Sequence, residues 1–186
     1  MFESLPNLIS IFRLVCVPLV IGLIMSGAWF EAFAIFLIAG LSDALDGFLA
    51  KRFGLSSRLG SYLDPVADKA LLVSTFITLA VMNAVSTPLV LLIVSRDVMI
   101  VGGVLIAWLL HHPIQIEPLL ISKINTATQI LLACYILAAR SFDFSIGTGL
   151  IVLNSSVGLL TLASSAAYLK QWLRHMDLMG SSDQQN

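Results

Sequence analysis

"LSDALDGFLAKRFGLSSRLGSYLDPVADKALL", residues 41–72, is the stretch on which the reading of this chain turns. It places Asp43, Asp46, Asp64 and Asp68 within 26 residues, interleaved with Lys51, Arg52, Arg58 and Lys69. The surroundings are strongly apolar: 58% of the 186 residues are hydrophobic, 11% are charged, and the mean hydropathy is +0.96. Soluble domains carry roughly 45–50% apolar and about 25% charged residues. The composition therefore predicts an all-α, polytopic membrane protein, and the question is why such a chain concentrates carboxylates here. A net charge of −1 and a pI near 6.2 offer no electrostatic footprint for nucleic acid.

A membrane-crossing helix needs roughly 20 predominantly apolar residues. Working outward from the charged stretch, six such segments are expected, at 8–27, 31–50, 61–82, 89–110, 121–139 and 144–169, with "NAVSTP" (83–88) breaking an uncharged run too long for one crossing. The six form one membrane domain, 1–175, followed by a polar tail, 176–186, expected to be disordered. Six crossings put both termini and the loops at 51–60 and 111–121 on one side. Lys51, Arg52, Arg58, Lys170 and Arg174 flank helices there, with Arg13, Lys69 and Lys123 just inside the boundary; the other side claims plainly only Arg140. Excess Lys and Arg mark the cytoplasmic side, so all four aspartates are expected at cytoplasmic helix ends. Apolar sequence begins almost at Met1, which favours a bacterial plasma membrane, or a mature form whose presequence has been removed, in the mitochondrial inner membrane if eukaryotic. Cys16 and Cys134 lie in apolar runs and read as small buried hydrophobes.

Spacings of three (Asp43, Asp46) and four (Asp64, Asp68) put each pair on one face of a helix. Ionisable groups inside a membrane face the bundle interior or a wet cavity. Four carboxylates so close repel one another unless protonated or bridged by cations, and Mg²⁺ or Mn²⁺ takes oxygen ligands alongside phosphates. Gly47 and Gly60 let a bulky ligand approach the backbone, and Lys51, Arg52 and Arg58 offset a phosphorylated ligand's charge. Together these predict a phosphoryl-transfer site of one or two metal ions at a membrane surface. Taken singly, the residues have plainer readings: Asp64 as a helix N-cap before Pro65, the basic residues as orientation signals. The whole constellation outweighs them.

The same residues resemble the signature of the CDP-alcohol phosphatidyltransferases, D-x2-D-G-x2-A-R-x8-G-x3-D-x3-D. Here it is Asp43, Asp46, Gly47, Ala50, Lys51, Gly60, Asp64 and Asp68, every spacing kept. Lys51 stands where the family usually has Arg; it keeps the charge and loses the bidentate fork. The resemblance implies a six-helix bundle, usually a homodimer, that transfers a substituted phosphate from a CDP-linked donor to an alcohol and releases CMP. It implies that Asp43, Asp46 and Asp64 bind two divalent ions, that Asp68 is the general base and also touches metal, and that Gly47, Ala50, Lys51, Arg58 and Gly60 line the donor site. Within the family, "PNLISIFRLVCVPLV" (6–20) resembles the opening of the branch that makes phosphatidylglycerophosphate and cardiolipin. "VSRDVMIVGGVL" (94–105) and "LLISKINTATQILL" (119–132) resemble more specifically the mitochondrial-type enzymes that make cardiolipin from CDP-diacylglycerol and phosphatidylglycerol. The glycerol 3-phosphate-using branch tends to carry a basic residue eight positions after the arginine aligned with Arg96; here that position is Val104.

Outside the signature, Arg96 and Asp97 sit deep in the fourth segment. As helix neighbours they are expected to point apart, each needing its own partner, with Arg96 either in a buried ion-pair network or on a substrate phosphate. Lys123, with Asn125, Thr126 and Gln129, is expected to make a polar helix face; Arg13 does the same on the first helix. Lys123 and Arg13 either bind acceptor or lipid phosphate or snorkel to headgroups. His111 and His112 read as interfacial, and Trp29, Trp108 and Trp172 as belt anchors. Two rivals stay open: the same enzyme class with glycerol 3-phosphate (less so inositol phosphate or serine) as acceptor, and a small cation carrier using the acidic cluster.

Overall fold

The computed structural model describes residues 5–53, 60–109, 120–144 and 147–182, with side chains described over 8–43, 66–102, 120–144 and 147–172. Six helices follow one another: α1 Leu5–Met25, α2 Trp29–Phe53, α3 Gly60–Val81, α4 Thr87–Leu109, α5 Leu120–Phe142 and α6 Gly147–Ser182; no strand occurs among the described residues. Each coincides with one expected segment. Over their described residues, α1, α5 and α6 are long and apolar enough to cross a membrane. Large apolar side chains stand exposed along them, among them Val15, Leu131, Ile151 and Leu159. Aqueous surfaces do not carry apolar patches on that scale; these faces belong in lipid, and the protein is an all-helical polytopic membrane protein.

The helix ends follow backbone chemistry. α1 stops where Gly27 takes φ +78°, with Ala28 N–H donating to the Leu23 carbonyl at 2.9 Å. α3 stops the same way at Asn83 (φ 56°), with Ala84 N–H on the Leu79 carbonyl at 2.8 Å. This left-handed closure satisfies carbonyls a helix end leaves without partners. Pro88 then falls in the first turn of α4, where its missing N–H costs nothing. So "NAVSTP" is the break the sequence reading expects. α6, by contrast, overruns its expected end: residues 176–182, assigned above to a disordered tail, are helical. From Lys170 to Met179 the chain has neither Gly nor Pro, and an established helix propagates at one hydrogen bond per residue.

The chain forms two compact units. The first holds residues 1–87 and 130–150: α1 packs against both α2 and α3, and the C-terminal half of α5 joins them. The buried face of α1 runs Ser10, Arg13, Cys16, Val20, Ile24, a stripe at helical spacing that is polar at one end and apolar at the other. It meets Ala32, Phe36 and Ala39 of α2 and Leu72, Phe76 and Leu79 of α3 as buried partners in the same core. Phe142 closes the far end, edge-on to Phe30 (5.9 Å) and Phe33 (6.2 Å), while the Arg140 guanidinium lies 5.5 Å from the Trp29 ring. The second unit holds residues 88–129 and 151–186, with Leu89, Val90 and Ile93 of α4 and Val157, Thr161, Ser164 and Tyr168 of α6 buried.

Candidate active site

The first unit assembles part of the signature. Asp43 on α2 and Asp68 on α3, the first and last carboxylates of the motif, are brought onto one guanidinium: Arg13 Nη1 lies 2.6 Å from Asp43 Oδ1 and also donates to Asp68 Oδ1. The Arg13 side chain is wholly buried, whereas 36% of the Asp43 side chain and 52% of that of Asp68 remain exposed. The snorkelling expected as one reading of Arg13 is therefore excluded. A buried cation demands compensation, and α1 delivers its charge to the carboxylates, not to the surface.

Asp46, Gly47, Ala50 and Lys51 lie on α2 and Gly60 and Asp64 on α3, their side chains outside the described set; Arg58 lies outside the described residues, as do His111 and His112, and the Trp108 side chain likewise. Since α3 begins at Gly60, Asp64 stands in its second turn, which removes the N-cap reading. Among the described residues no group of three His, Cys, Asp or Glu gathers as a metal site. The described pair nonetheless fits a hard divalent ion: all its donors are carboxylate oxygens, they converge on one cationic centre, and both side chains are partly open to solvent.

The second unit builds a different polar centre. Arg96 Nη1 pairs with Asp97 Oδ1 at 2.6 Å; its Nη2 donates to Ser122 and, at 3.0 Å, to Ser164 Oγ; its guanidinium lies 5.7 Å from the Tyr168 ring. Thr161 Oγ1 donates to Asn125 Oδ1 at 3.0 Å. Two expectations are corrected here. Arg96 and Asp97 pair directly, because the long, flexible arginine side chain can bring its guanidinium to the carboxylate of its neighbour. Lys123 is exposed while Asn125 and Gln129 are fully buried, so these do not share one face. Spacing explains it: Ser122, Asn125 and Gln129 stand at i, i+3 and i+7, and Lys123 is a hundred degrees round from the first. Ser122, Ser164 and Tyr168, none of them singled out by the sequence, are Arg96's partners; Ser164 and Tyr168 share a face of α6 with Thr161, which serves Asn125.

An integral membrane bundle that focuses signature carboxylates on a buried cation defines the class: a helical membrane protein with an acidic phosphoryl-transfer motif. Residues 3–166 match the family profile of the CDP-alcohol phosphatidyltransferases, and the chain belongs to that family. It is similar to CDP-diacylglycerol–glycerol-3-phosphate 3-phosphatidyltransferase 1, chloroplastic, of Oryza sativa subsp. japonica (35% identical over 90% of this chain and 56% of that protein). It is nearly as similar to cardiolipin synthase (CMP-forming) of Rattus norvegicus (34%, over 89% of this chain and 60% of that protein). A CDP-diacylglycerol–glycerol-3-phosphate 3-phosphatidyltransferase of Aquifex aeolicus is 33% identical over 66% of this chain and 69% of its own length. The chain spans little more than half the length of the rice and rat proteins.

Proposed function

We propose that this protein transfers a phosphatidyl group from CDP-diacylglycerol to phosphatidylglycerol, forming cardiolipin and CMP. The observation that carries the transferase reading is the convergence of Asp43 and Asp68, the two ends of an eight-position signature, on one point. Asp68, half exposed, accepts the proton of the acceptor's primary hydroxyl. That oxygen bonds to the lipid-linked phosphorus as the bond from phosphorus to the bridging oxygen breaks, and CMP departs with the electron pair. Asp43, Asp46, Asp64 and Asp68 would hold Mg²⁺ or Mn²⁺, two ions by the family resemblance, which supply charge stabilisation for the attacking and leaving oxygens. Gly47, Ala50, Lys51, Arg58 and Gly60 line the cytidine-diphosphate end of the donor, and Lys123, exposed on α5, faces lipid phosphate, whereas Arg96 is taken up by its buried partners. Both lipids reach the site from the cytoplasmic leaflet, and the protein works as a homodimer.

The cardiolipin assignment is supported by the rat relative and by Val104, where a second cation for a doubly charged acceptor is missing. The rice and Aquifex relatives favour the second reading, glycerol 3-phosphate as acceptor. Purified protein with labelled CDP-diacylglycerol and Mg²⁺ or Mn²⁺ decides, with the two acceptors in separate reactions. Cardiolipin from phosphatidylglycerol alone, lost in Asp68→Asn, is the expected result. Product only from glycerol 3-phosphate replaces the acceptor, and CMP release with neither removes the reading.

A further inference from the structure

Arg13 lies outside the signature, 30 residues before Asp43, yet it is the group on which the signature's ends meet. One nitrogen, Nη1, serves Oδ1 of both carboxylates. That is also how a point cation sits between two ligand oxygens. We propose that Arg13 is a resident counter-cation, holding Asp43 and Asp68 together in the metal-free protein and competing with the divalent ion for those oxygens. The inference rests on the reading of these carboxylates as a divalent-cation site.

Arg13 has no exposed side-chain surface, so its charge is poorly screened and its carboxylate partners are its compensation. An ion that takes the two Oδ1 atoms parts them from Nη1 and faces a guanidinium a few ångströms away, where like charges repel strongly in a low dielectric. Arg13 therefore weakens metal affinity. Without it, metal-free Asp43 and Asp68 repel each other, and α1 loses its polar anchor on α2 and α3. Removing the charge moves two observables in opposite directions: the ion binds more tightly, and the metal-free fold becomes less stable. A residue that only packs would lower stability without raising affinity.

The test uses the full chain in detergent, titrated with Mn²⁺ while free ion is followed by electron paramagnetic resonance. Arg13→Gln is expected to bind Mn²⁺ about tenfold more tightly, the scale of one lost charge-assisted contact. Its melting temperature in EDTA falls and recovers on adding Mn²⁺, while Arg13→Lys, which keeps the charge, stays close to the parent. Equal or weaker Mn²⁺ affinity in Arg13→Gln overturns the proposal. If that variant does not fold in EDTA, ¹⁵N-arginine-labelled parent protein is titrated with Mg²⁺ instead. The side-chain signal missing from Arg13→Lys must shift, and an unmoved signal is equally fatal. The acceptor assay judges the functional reading separately. CMP release combined with unchanged Mn²⁺ affinity in Arg13→Gln removes this proposal alone. Tightened affinity with no CMP release removes the transferase reading alone, and no Mn²⁺ binding by the parent removes this proposal together with the divalent-cation site, leaving the transferase reading to the CMP assay.

Discussion

Arg96 shows how one buried cation in a membrane bundle is kept. Its guanidinium is met by a carboxylate, two hydroxyls and an aromatic face, drawn from α4, α5 and α6 of the second unit. Removing one partner of a buried pair strands the other; removing both is far milder. Arg96→Ala is expected to destabilise the detergent-solubilised protein by about 3–5 kcal/mol, with Arg96→Ala/Asp97→Ala recovering much of the loss. Thermal unfolding of the three proteins checks this, and a double variant no better than the single would show that Asp97 does not depend on Arg96. Arg13 differs in what it meets: both of its described carboxylate partners belong to the signature, which is why its charge bears on chemistry as well as on packing.

At the scale of helices, close approach is the limiting factor. Without hydrophobic driving force between helices in lipid, association depends on small residues that let backbones draw near. A Cβ at Gly149 of α6 would come within 2.5 Å of Tyr135 Oη and 2.9 Å of its Cζ on α5, whereas one at Gly158 would meet only Leu89 Cδ1 at 3.6 Å. Gly149→Ala is therefore expected to lower stability by about 1–3 kcal/mol, while Gly158→Ala is tolerated. Melting curves of the pair separate a packing constraint from a general dislike of alanine. At the turn after α1, Gly27→Ala must hold a Cβ at φ +78°, and a loss of about 1 kcal/mol follows; an unchanged midpoint would mean that the α1–α2 turn relaxes freely.

For the whole molecule, the apolar exterior and the acidic cluster dictate different tests. Chelation is expected to abolish CMP release, with Mg²⁺ or Mn²⁺ restoring it and Ca²⁺, larger and less demanding of octahedral geometry, doing so poorly. Full activity in EDTA would rule out a metal-dependent reaction. From the distribution of Lys and Arg, residues 1 and 186 are both expected on the cytoplasmic side. A green fluorescent reporter fused after residue 186 is expected to fluoresce in bacteria, and alkaline phosphatase at the same place to stay inactive. The reverse pattern would turn the protein over and place the carboxylates at the opposite surface.

Much of this was legible in one dimension because membranes impose simple lengths. Six apolar segments gave six helices, and the Asn83–Pro88 break fell where turn chemistry puts it. The signature was legible too, since its meaning lies in residue types at fixed spacing along two helices. What the linear order could not show is which distant side chain answers which charge. Arg13 and Asp68 are 55 positions apart, and Arg96 and Ser164 are separated by 68. Nor could it foresee that Arg96 pairs with Asp97, or that Lys123 turns away from Asn125 and Gln129. Those outcomes belong to tertiary packing, because burial removes water as the default partner and each polar group must take whichever neighbour the fold brings near.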